Sequence, residues 1–346
     1  MKLLKQILLI LLVFSKTGNL LSDNNLFNVN NISIEKKENI SNKQLVNQAI
    51  KEAFNQFIGR VLMKEDQQKL YNLSFSKINE LVKYYNVSKN TDTKIDIVNF
   101  NVTFDRGKIH DLFYRTGLLY SDIIDKEFFI LPVVLNENEI FIFSNNYFYE
   151  NWNKSKNKKL IEFILPIENI EIIQKINKSR ENLFNLELKN LFEEYPNKNI
   201  AFVLIEDNEN IIQKIYLKSI IHDKAISKNL TFKKNNLETE ILNKKIILEV
   251  EDELVNLVKS RNLIDIRTPS FLNVIINLDK IDNLASINKK IKNIDLIENI
   301  YVQDFTKNYV KIKIKYLGKL ERIVDQLRKV NLKLELIDEE WFIKTF

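Results

Sequence analysis

The sequence of 346 residues contains no cysteine, only two histidines and only five glycines. The absence of cysteine excludes disulfide bonds, thiolate zinc sites, iron–sulfur clusters and cysteine nucleophiles. The few glycines are dispersed, so the chain has neither of the glycine-rich phosphate-binding patterns, G-x-x-x-x-G-K-(S/T) and G-x-G-x-x-G. Two histidines that lie far apart in the sequence do not suggest a zinc site. We therefore predict no metal site and no cofactor-binding site.

Neither histidine occurs in a pattern typical of acid–base catalysis, although each precedes an aspartate, in His110-Asp111 and His222-Asp223. Adjacent residues on a helix differ by about 100° in direction, and adjacent residues on a strand point to opposite faces. Neither aspartate is therefore expected to orient the imidazole beside it. The stretch FNVTFDRGKIHDLFYRTGLLY, residues 100–120, is interpreted as a corner from a strand into a helix. The G-x-S-x-G elbow is also absent, and we predict no catalytic residue.

Charge is nearly balanced, with 52 basic and 46 acidic side chains and a net charge of +6. Because the two signs are interspersed, a solvated lysine-rich surface accounts for the excess, and weak attraction to anionic surfaces is the alternative. The carboxylate run EVEDE, residues 249–253, lacks the spacing and the glycine of an EF-hand loop. Hydrophobic residues make up 45% of the chain, which is enough for large cores.

The first fifteen residues, MKLLKQILLILLVFS, have the features of a secretory signal peptide. These are two lysines, a short apolar run, and small residues at the −3 and −1 positions of a cleavage site. The run is shorter than the roughly 20 apolar residues that span a bilayer. We predict a signal peptide at 1–15, a linker or a loosely held first strand at 16–40, and an exported, soluble, periplasmic mature chain without a transmembrane span. A buried N-terminal helix and an uncleaved signal that anchors the chain in the inner membrane are the alternatives.

Residues 41–154 are predicted to form an N-terminal α/β module. Its clearest helix covers Ser41–Ile58, where apolar residues recur at helical spacing. The first residue of this helix and Gln44 form a capping box. Gly59 is expected to adopt a left-handed conformation that ends the helix. A second helix is predicted over Ser74–Tyr85. The predicted strands are 95–104, 127–135 and 139–144.

Residues 155–265 are predicted to form a middle α/β module after the charged break SKNKK. Strands and helices alternate along this module, which is typical of an α/β layer. The polar segment 223–236 is predicted to be a loop. The predicted strands are 160–165, 198–206 and 211–221, and the predicted helices are 167–176, 180–194 and 237–261.

Residues 266–346 show the element order βαββαβ, which is the ferredoxin-like pattern. The last strand begins at residue 332 and can extend as far as Trp341. The sequence therefore predicts an α+β protein with an N-terminal α/β module, a middle α/β module and a C-terminal ferredoxin-like βαββαβ module.

Three motifs mark the first module: Phe104-Asp105 at the end of a strand, Leu131-Pro132-Val133, and an aromatic-rich stretch ending at Trp152. With these motifs the chain resembles an exported bacterial family, common in alphaproteobacteria, known as domain of unknown function 2066. Tyr147 or Phe148 stands where that family usually has another tryptophan. The module that ends near Trp341 is also similar. The resemblance implies export and a fold outline, and it implies no reaction.

The predicted strand YVKIKIKY, residues 309–316, places Lys311, Lys313 and Lys315 on the face opposite to its apolar residues. A ferredoxin-like fold leaves that face open, so these lysines are candidates for contact with a partner. The alternative is a solvated strand whose charges resist edge pairing. RNA-recognition domains share the βαββαβ order but carry aromatic residues on this strand. Because lysines stand there instead, we predict no nucleic-acid binding.

A further candidate for partner contact is Trp152, the last residue of the aromatic cluster that begins at Phe141. Tyrosine and tryptophan are favoured at interfaces, although the cluster can equally be the edge of a core. The hypothesis favoured by these patterns is a non-enzymatic binding or assembly factor of the bacterial envelope. Its expected partner is an envelope protein or an anionic surface component. A periplasmic hydrolase that uses carboxylates or His222, and a small-ligand sensor, are the alternatives.

Overall fold

The computed structural model describes residues 26–36, 40–89, 97–122, 127–137, 139–154, 161–207, 212–233, 238–277 and 281–345. The predicted signal peptide at 1–15, residues 16–25 and 37–39 of the predicted linker segment, and the charged break at 155–159 lie outside the described residues. Within that segment Asn28–Glu35 forms a strand, which agrees with the second of its two predicted readings. Helices and strands are mixed throughout, which confirms the predicted α+β class. In the described ranges, no helix combines the length and the apolar character needed to cross a bilayer.

The secondary structure is numbered here in chain order within the described ranges. The helices are α1 (Asn42–Val61), α2 (Lys64–Gln67), α3 (Phe75–Glu80), α4 (Arg106–Thr116), α5 (Tyr147–Asn151), α6 (Ile170–Lys178), α7 (Leu188–Leu191), α8 (Thr239–Arg261), α9 (Ile281–Lys292) and α10 (Leu320–Lys329). The strands are β1 (Asn28–Glu35), β2 (Val82–Lys89), β3 (Ile97–Phe104), β4 (Tyr120–Ser121), β5 (Glu127–Asn136), β6 (Glu139–Phe141), β7 (Glu162–Ile164), β8 (Asn199–Glu206), β9 (Ile212–Ile221), β10 (Lys224–Lys233), β11 (Leu263–Ile264), β12 (Ser270–Asn277), β13 (Ile297–Phe305), β14 (Tyr309–Tyr316), β15 (Leu332–Ile337) and β16 (Glu340–Thr345).

The chain divides into two compact units, and each unit draws on segments that are far apart in the sequence. The first combines residues 1–57, 73–112 and 269–346, and the second combines residues 58–72 and 113–268. The predicted division into three consecutive modules stays a prediction.

The first unit contains a small antiparallel sheet in the order β1-β3-β2. The apolar face of β3 is buried, and the rings of Phe54 and Phe57 on α1 lie 6.0 and 5.2 Å from the ring of Phe104. Because β3 alternates between buried and partly exposed residues, one face of the sheet packs on α1 and the other stays polar.

The start of α1 is confirmed, but its end differs from the prediction. The backbone N–H of Ser41 donates to Gln44 Oε1 (2.9 Å), and the N–H of Gln44 donates to Ser41 Oγ (3.3 Å), which together form the predicted capping box. Gly59 does not act as a left-handed stop, because α1 continues through it to Val61 and its φ is not positive.

The second unit is built on a mixed sheet in the order β10-β9-β8-β5-β6, with β7 also paired to β5. The parallel strands β5 and β8 are buried on both faces, so their sequences are continuous apolar runs. Residues of α8 belong to the core on one face of this sheet. Residues of α6 and α7 belong to the core on the other face.

A proline lies inside the central strand β5, where a missing N–H would normally break a ladder. β7 pairs with the start of β5 as far as Phe129, and β6 pairs with its end from Val134 onward. Pro132 therefore lies between the segments of β5 that pair with β7 and β6. On the edge of β5 that faces those two strands, no backbone N–H is needed at this position.

The segment 223–236 contains a strand, where the sequence predicts a loop. Lys224–Lys233 forms the edge strand β10, which pairs with β9 along its whole length. His222 and Asp223 have φ angles of 48° and 61° and make the two-residue turn between these strands. Positive φ at both positions is what a type I′ hairpin turn requires. Most of β10 is exposed, which explains its polar, loop-like composition.

Two predicted helices are shorter than expected. The helix predicted over Ser74–Tyr85 ends at Glu80, and the following residues form β2, whose tyrosines and valines favour a strand. The helix predicted over 180–194 is instead a 3-10 helix at Arg180–Asn185 followed by α7.

The five-stranded sheet of the first unit has the order β13-β14-β12-β16-β15. The predicted last strand is a hairpin, because Asp338 and Glu339 adopt positive φ and turn the chain back as β16. β16 pairs in parallel with β12 and lies between β12 and the edge strand β15. The observed order βαββαββ thus differs from the predicted βαββαβ by one added strand.

Candidate interaction face of the five-stranded sheet

One face of the five-stranded sheet is a core face, and the other is open except near Glu298, where the buried His110 of α4 lies. On β14, Val310, Ile312 and Ile314 are buried, whereas Lys311 and Lys315 are only partly so. The three lysines predicted to share a face therefore do share the open face.

Two of the three predicted lysines are paired with carboxylates inside the sheet. Lys311 Nζ lies 3.2 Å from Glu340 Oε1 on β16, and Lys315 Nζ lies 2.8 Å from Glu298 Oε2 on β13. The hydrogen bond to Glu298 raises the pKa of Lys315. Two of the three lysines thus have counter-ions within the sheet, and contact of the lysine row with a partner stays a prediction.

Lys313 differs from its neighbours, because its side chain contacts an aromatic ring. Its Nζ lies 4.5 Å from the centre of the Phe271 ring, a distance typical of a cation–π contact. Phe271 is 52% exposed. Tyr301 lies directly opposite Lys313 on β13 and is 46% exposed. Residues opposite each other in an antiparallel ladder share a face, so Phe271, Lys313 and Tyr301 form one exposed group, called here the aromatic–lysine triad.

The triad is absent from any single strand of the sequence. Phe271 comes from β12 and Tyr301 from β13, and only the register of the sheet brings them beside Lys313 on β14. Along β14 no aromatic residue stands between the lysines, whereas the folded face places Phe271 and Tyr301 beside them.

Other charged side chains on the same face are also paired with neighbours. Lys333 and Lys344 each lie within 2.8 Å of Glu335, and their hydrogen bonds lower the pKa of that carboxyl to about 2. Tyr309 donates to Asp304 at 3.1 Å. The open face therefore consists of locally paired charges around an exposed aromatic–lysine triad.

Trp152, the other predicted contact residue, lies in the interior of the second unit. It has no exposed surface and its ring centre is 6.5 Å from that of Phe163, within the core against α8. This corrects the expectation of partner contact, since a side chain without exposed surface offers nothing to dock against.

Asn146 organises the aromatic cluster around Trp152, and sequence reasoning missed it. Its side chain is fully buried and donates to the carbonyls of Pro132, Phe141 and Ile142 at 2.8–3.1 Å. The same side chain accepts from the N–H groups of Phe148 and Tyr149, which caps α5. An asparagine directly before an aromatic helical run is an N-cap signal, and this was the clue available in the sequence.

His110 lies on α4 in the first unit and is buried. Its ring makes an edge contact with Phe27 at 5.7 Å, and its Nδ1 lies 3.6 Å from Glu298 Oε1. Burial lowers the pKa of His110 to about 4; Glu298 and Asp111 oppose this shift, and Arg106 adds to it. Near neutral pH the imidazole is therefore uncharged and packed, while His222 lies in an exposed turn.

The depressed pKa of His110 predicts a specific acid sensitivity. The unfolded chain takes up this proton near pH 6.5 and the folded chain only near pH 4. Between these values the unfolded state binds more protons, so the stability is complete above pH 6.5 and falls by ~3 kcal/mol as the pH approaches 4. Urea unfolding at pH 7, 5 and 4 should show this loss in the wild type and not in His110→Gln. His222→Gln is the matched control and should behave as the wild type; parallel pH curves for His110→Gln and the wild type would contradict the assignment.

No group of three or more histidine, aspartate or glutamate side chains positioned to hold a metal ion occurs among the described residues.

No family model and no curated protein matches the sequence. One solved structure, titled "Crystal structure of uncharacterized protein", is similar over 41% of this chain and 95% of its own, with 8% sequence identity and a TM-score of 0.18. So low a score supports no argument, and the resemblance to the 2066 family stays a prediction.

Proposed function

We propose that this chain is a non-enzymatic binding protein of the bacterial envelope, exported to the periplasm, which holds a protein partner on the open face of its five-stranded sheet. The observation that carries the proposal is the aromatic–lysine triad of Phe271, Lys313 and Tyr301. Two half-exposed rings flank a lysine on a sheet face whose other charges are locally paired.

The composition of the triad favours a protein partner over a diffuse anionic surface. Aromatic side chains are enriched at the centres of protein interfaces, and paired charges at the rim contribute little. The charges around the triad nearly cancel, so the long-range attraction that a polyanion would exploit is weak. The fitting partner presents a carboxylate, which would pair with Lys313, between apolar side chains that would pack on Phe271 and Tyr301.

The proposal is tested by placing a photo-cross-linking amino acid at position 301 of the full chain in intact cells. We expect one discrete adduct with an envelope protein. The matched control carries the same group at position 305, since Phe305 is 63% exposed on the same strand but lies opposite Val310 and so faces the other way. Equal adducts from both positions, or none from position 301, would overturn the proposal.

A further inference from the structure

The second unit contains a cavity of about 380 Å³ between the residues that follow α1 and the last turns of α8. Its lining includes Lys64, Gln68, Asp252, Asn256 and Lys259. The volume is in the range of small-molecule sites. Nothing in the open face of the sheet depends on this cavity, so the two can be tested separately.

Lys259 is the unusual member of this lining, because it is a buried cation without a carboxylate contact. It is 2% exposed, and its Nζ donates to the carbonyls of Gly59 (2.6 Å) and Leu62 (2.8 Å). No carboxylate of the described residues forms an ion pair with it, so one of its three N–H groups has no acceptor in the described structure. Buried charges are normally paired, and burial here lowers the pKa of Lys259 to about 8, against weaker opposing effects of Asp252 and Glu65.

Two amide side chains add donors to the same cavity. Asn256 Oδ1 accepts from the backbone N–H of Lys64 at 3.3 Å, which directs its Nδ2 donor elsewhere. Gln68 is exposed and its side chain has no hydrogen bond within the described residues. The other cation, Lys64, is already paired with Asp252 (3.1 Å) and Glu249 (3.6 Å).

We infer that this cavity binds a small monocarboxylate anion, with Lys259 as its counter-ion and Asn256 as a hydrogen-bond donor. An acceptor with one negative charge neutralises the buried ammonium and uses its remaining N–H group. The carboxylate of Asp252 also lines the cavity, so a dianion such as phosphate is repelled more strongly than a monocarboxylate.

The test follows the titration of Lys259 by NMR of the full chain labelled at lysine, in sodium butyrate and in sodium chloride of equal ionic strength. A bound anion favours the charged form, so butyrate should raise the midpoint of the Lys259 titration by about one pH unit or more and in a saturable way. Identical titrations in butyrate and chloride would overturn the inference.

A variant separates binding from folding. Asn256→Asp keeps the oxygen that accepts from Lys64 but removes the amide donor and adds a fixed negative charge. Its Lys259 midpoint should already be raised in chloride and should not respond to butyrate. Gln174→Glu, an equal charge change at an exposed position of α6, should respond as the wild type. A full butyrate response in Asn256→Asp would also contradict the site.

Discussion

Replacement of Asn146 by alanine is expected to lower the free energy of unfolding by about 3 kcal/mol or more. The reason is that the two N–H groups of the buried amide are shared among three carbonyls, while its Oδ1 accepts two hydrogen bonds at the start of α5. Without them, backbone groups in the interior lose their partners at once. Urea unfolding monitored by tryptophan fluorescence measures the change.

Asparagine-to-aspartate replacement at the same site distinguishes the two halves of this network. Asn146→Asp keeps both accepted bonds and loses the three donated ones, and it places a charge in the interior. We expect it to destabilise at least as much as alanine does. Asn177→Ala, at an exposed position of α6, is the matched control and should stay within about 0.5 kcal/mol of the wild type. A wild-type stability for Asn146→Asp would contradict the role of the donated bonds.

Replacement of Trp152 by alanine should cost about 3–5 kcal/mol of unfolding free energy, as expected for a large buried aromatic side chain. The side chain is fully enclosed among apolar residues of the second unit. Since two tryptophans are present in the chain, the transition is best followed by circular dichroism.

The same variant decides between the two roles considered for Trp152. A core residue lowers the unfolding free energy, whereas a contact residue lowers partner binding with little change in stability. Trp341→Ala is the comparison, because Trp341 is only partly buried and should cost less. If Trp152→Ala were as stable as the wild type and only lost its partner, the core assignment would be wrong.

Local signals in the sequence predicted local structure well. The capping box at Ser41 and Gln44, and the alternation that puts Lys311, Lys313 and Lys315 on one face, depend on neighbours within a few residues. The corner at residues 100–120 is of the same kind: Asp105 Oδ1 accepts from the N–H of Lys108 and α4 follows at once.

Features that depend on distant residues could not be predicted from local patterns. The ion pairs of Lys311 with Glu340 and of Lys315 with Glu298 could not be predicted, because the partners lie on different strands. The register that joins them is set by the whole sheet. The edge strand β10 has a polar composition typical of a loop, because only three of its side chains pack against the core: Ile226, Leu230 and Phe232.

The candidate site changed for the same reason. The residue type of Trp152 favours an interface, but its burial is decided by the residues that pack around it. Phe271 and Tyr301 give no local signal, because each lies on its own strand and only the sheet register places it beside Lys313.

The pairing on the open face also shows which lysine to change. Reversal of charge at Lys311 or Lys315 would place a carboxylate against Glu340 or Glu298 and disturb the sheet itself. Reversal at Lys313 loses only the contact with the Phe271 ring. Lys313→Glu is therefore the variant that tests binding with the least effect on folding.

The most direct test of the account is the yield of the position-301 adduct in chains that carry Lys313→Glu, compared with chains that carry Lys307→Glu in the exposed β13–β14 turn. We expect the adduct yield to fall roughly tenfold or more in Lys313→Glu, because the partner carboxylate would face a like charge, and to stay unchanged in Lys307→Glu. Circular dichroism should show both chains folded. An undiminished adduct with Lys313→Glu would contradict the claim that this sheet face holds the partner.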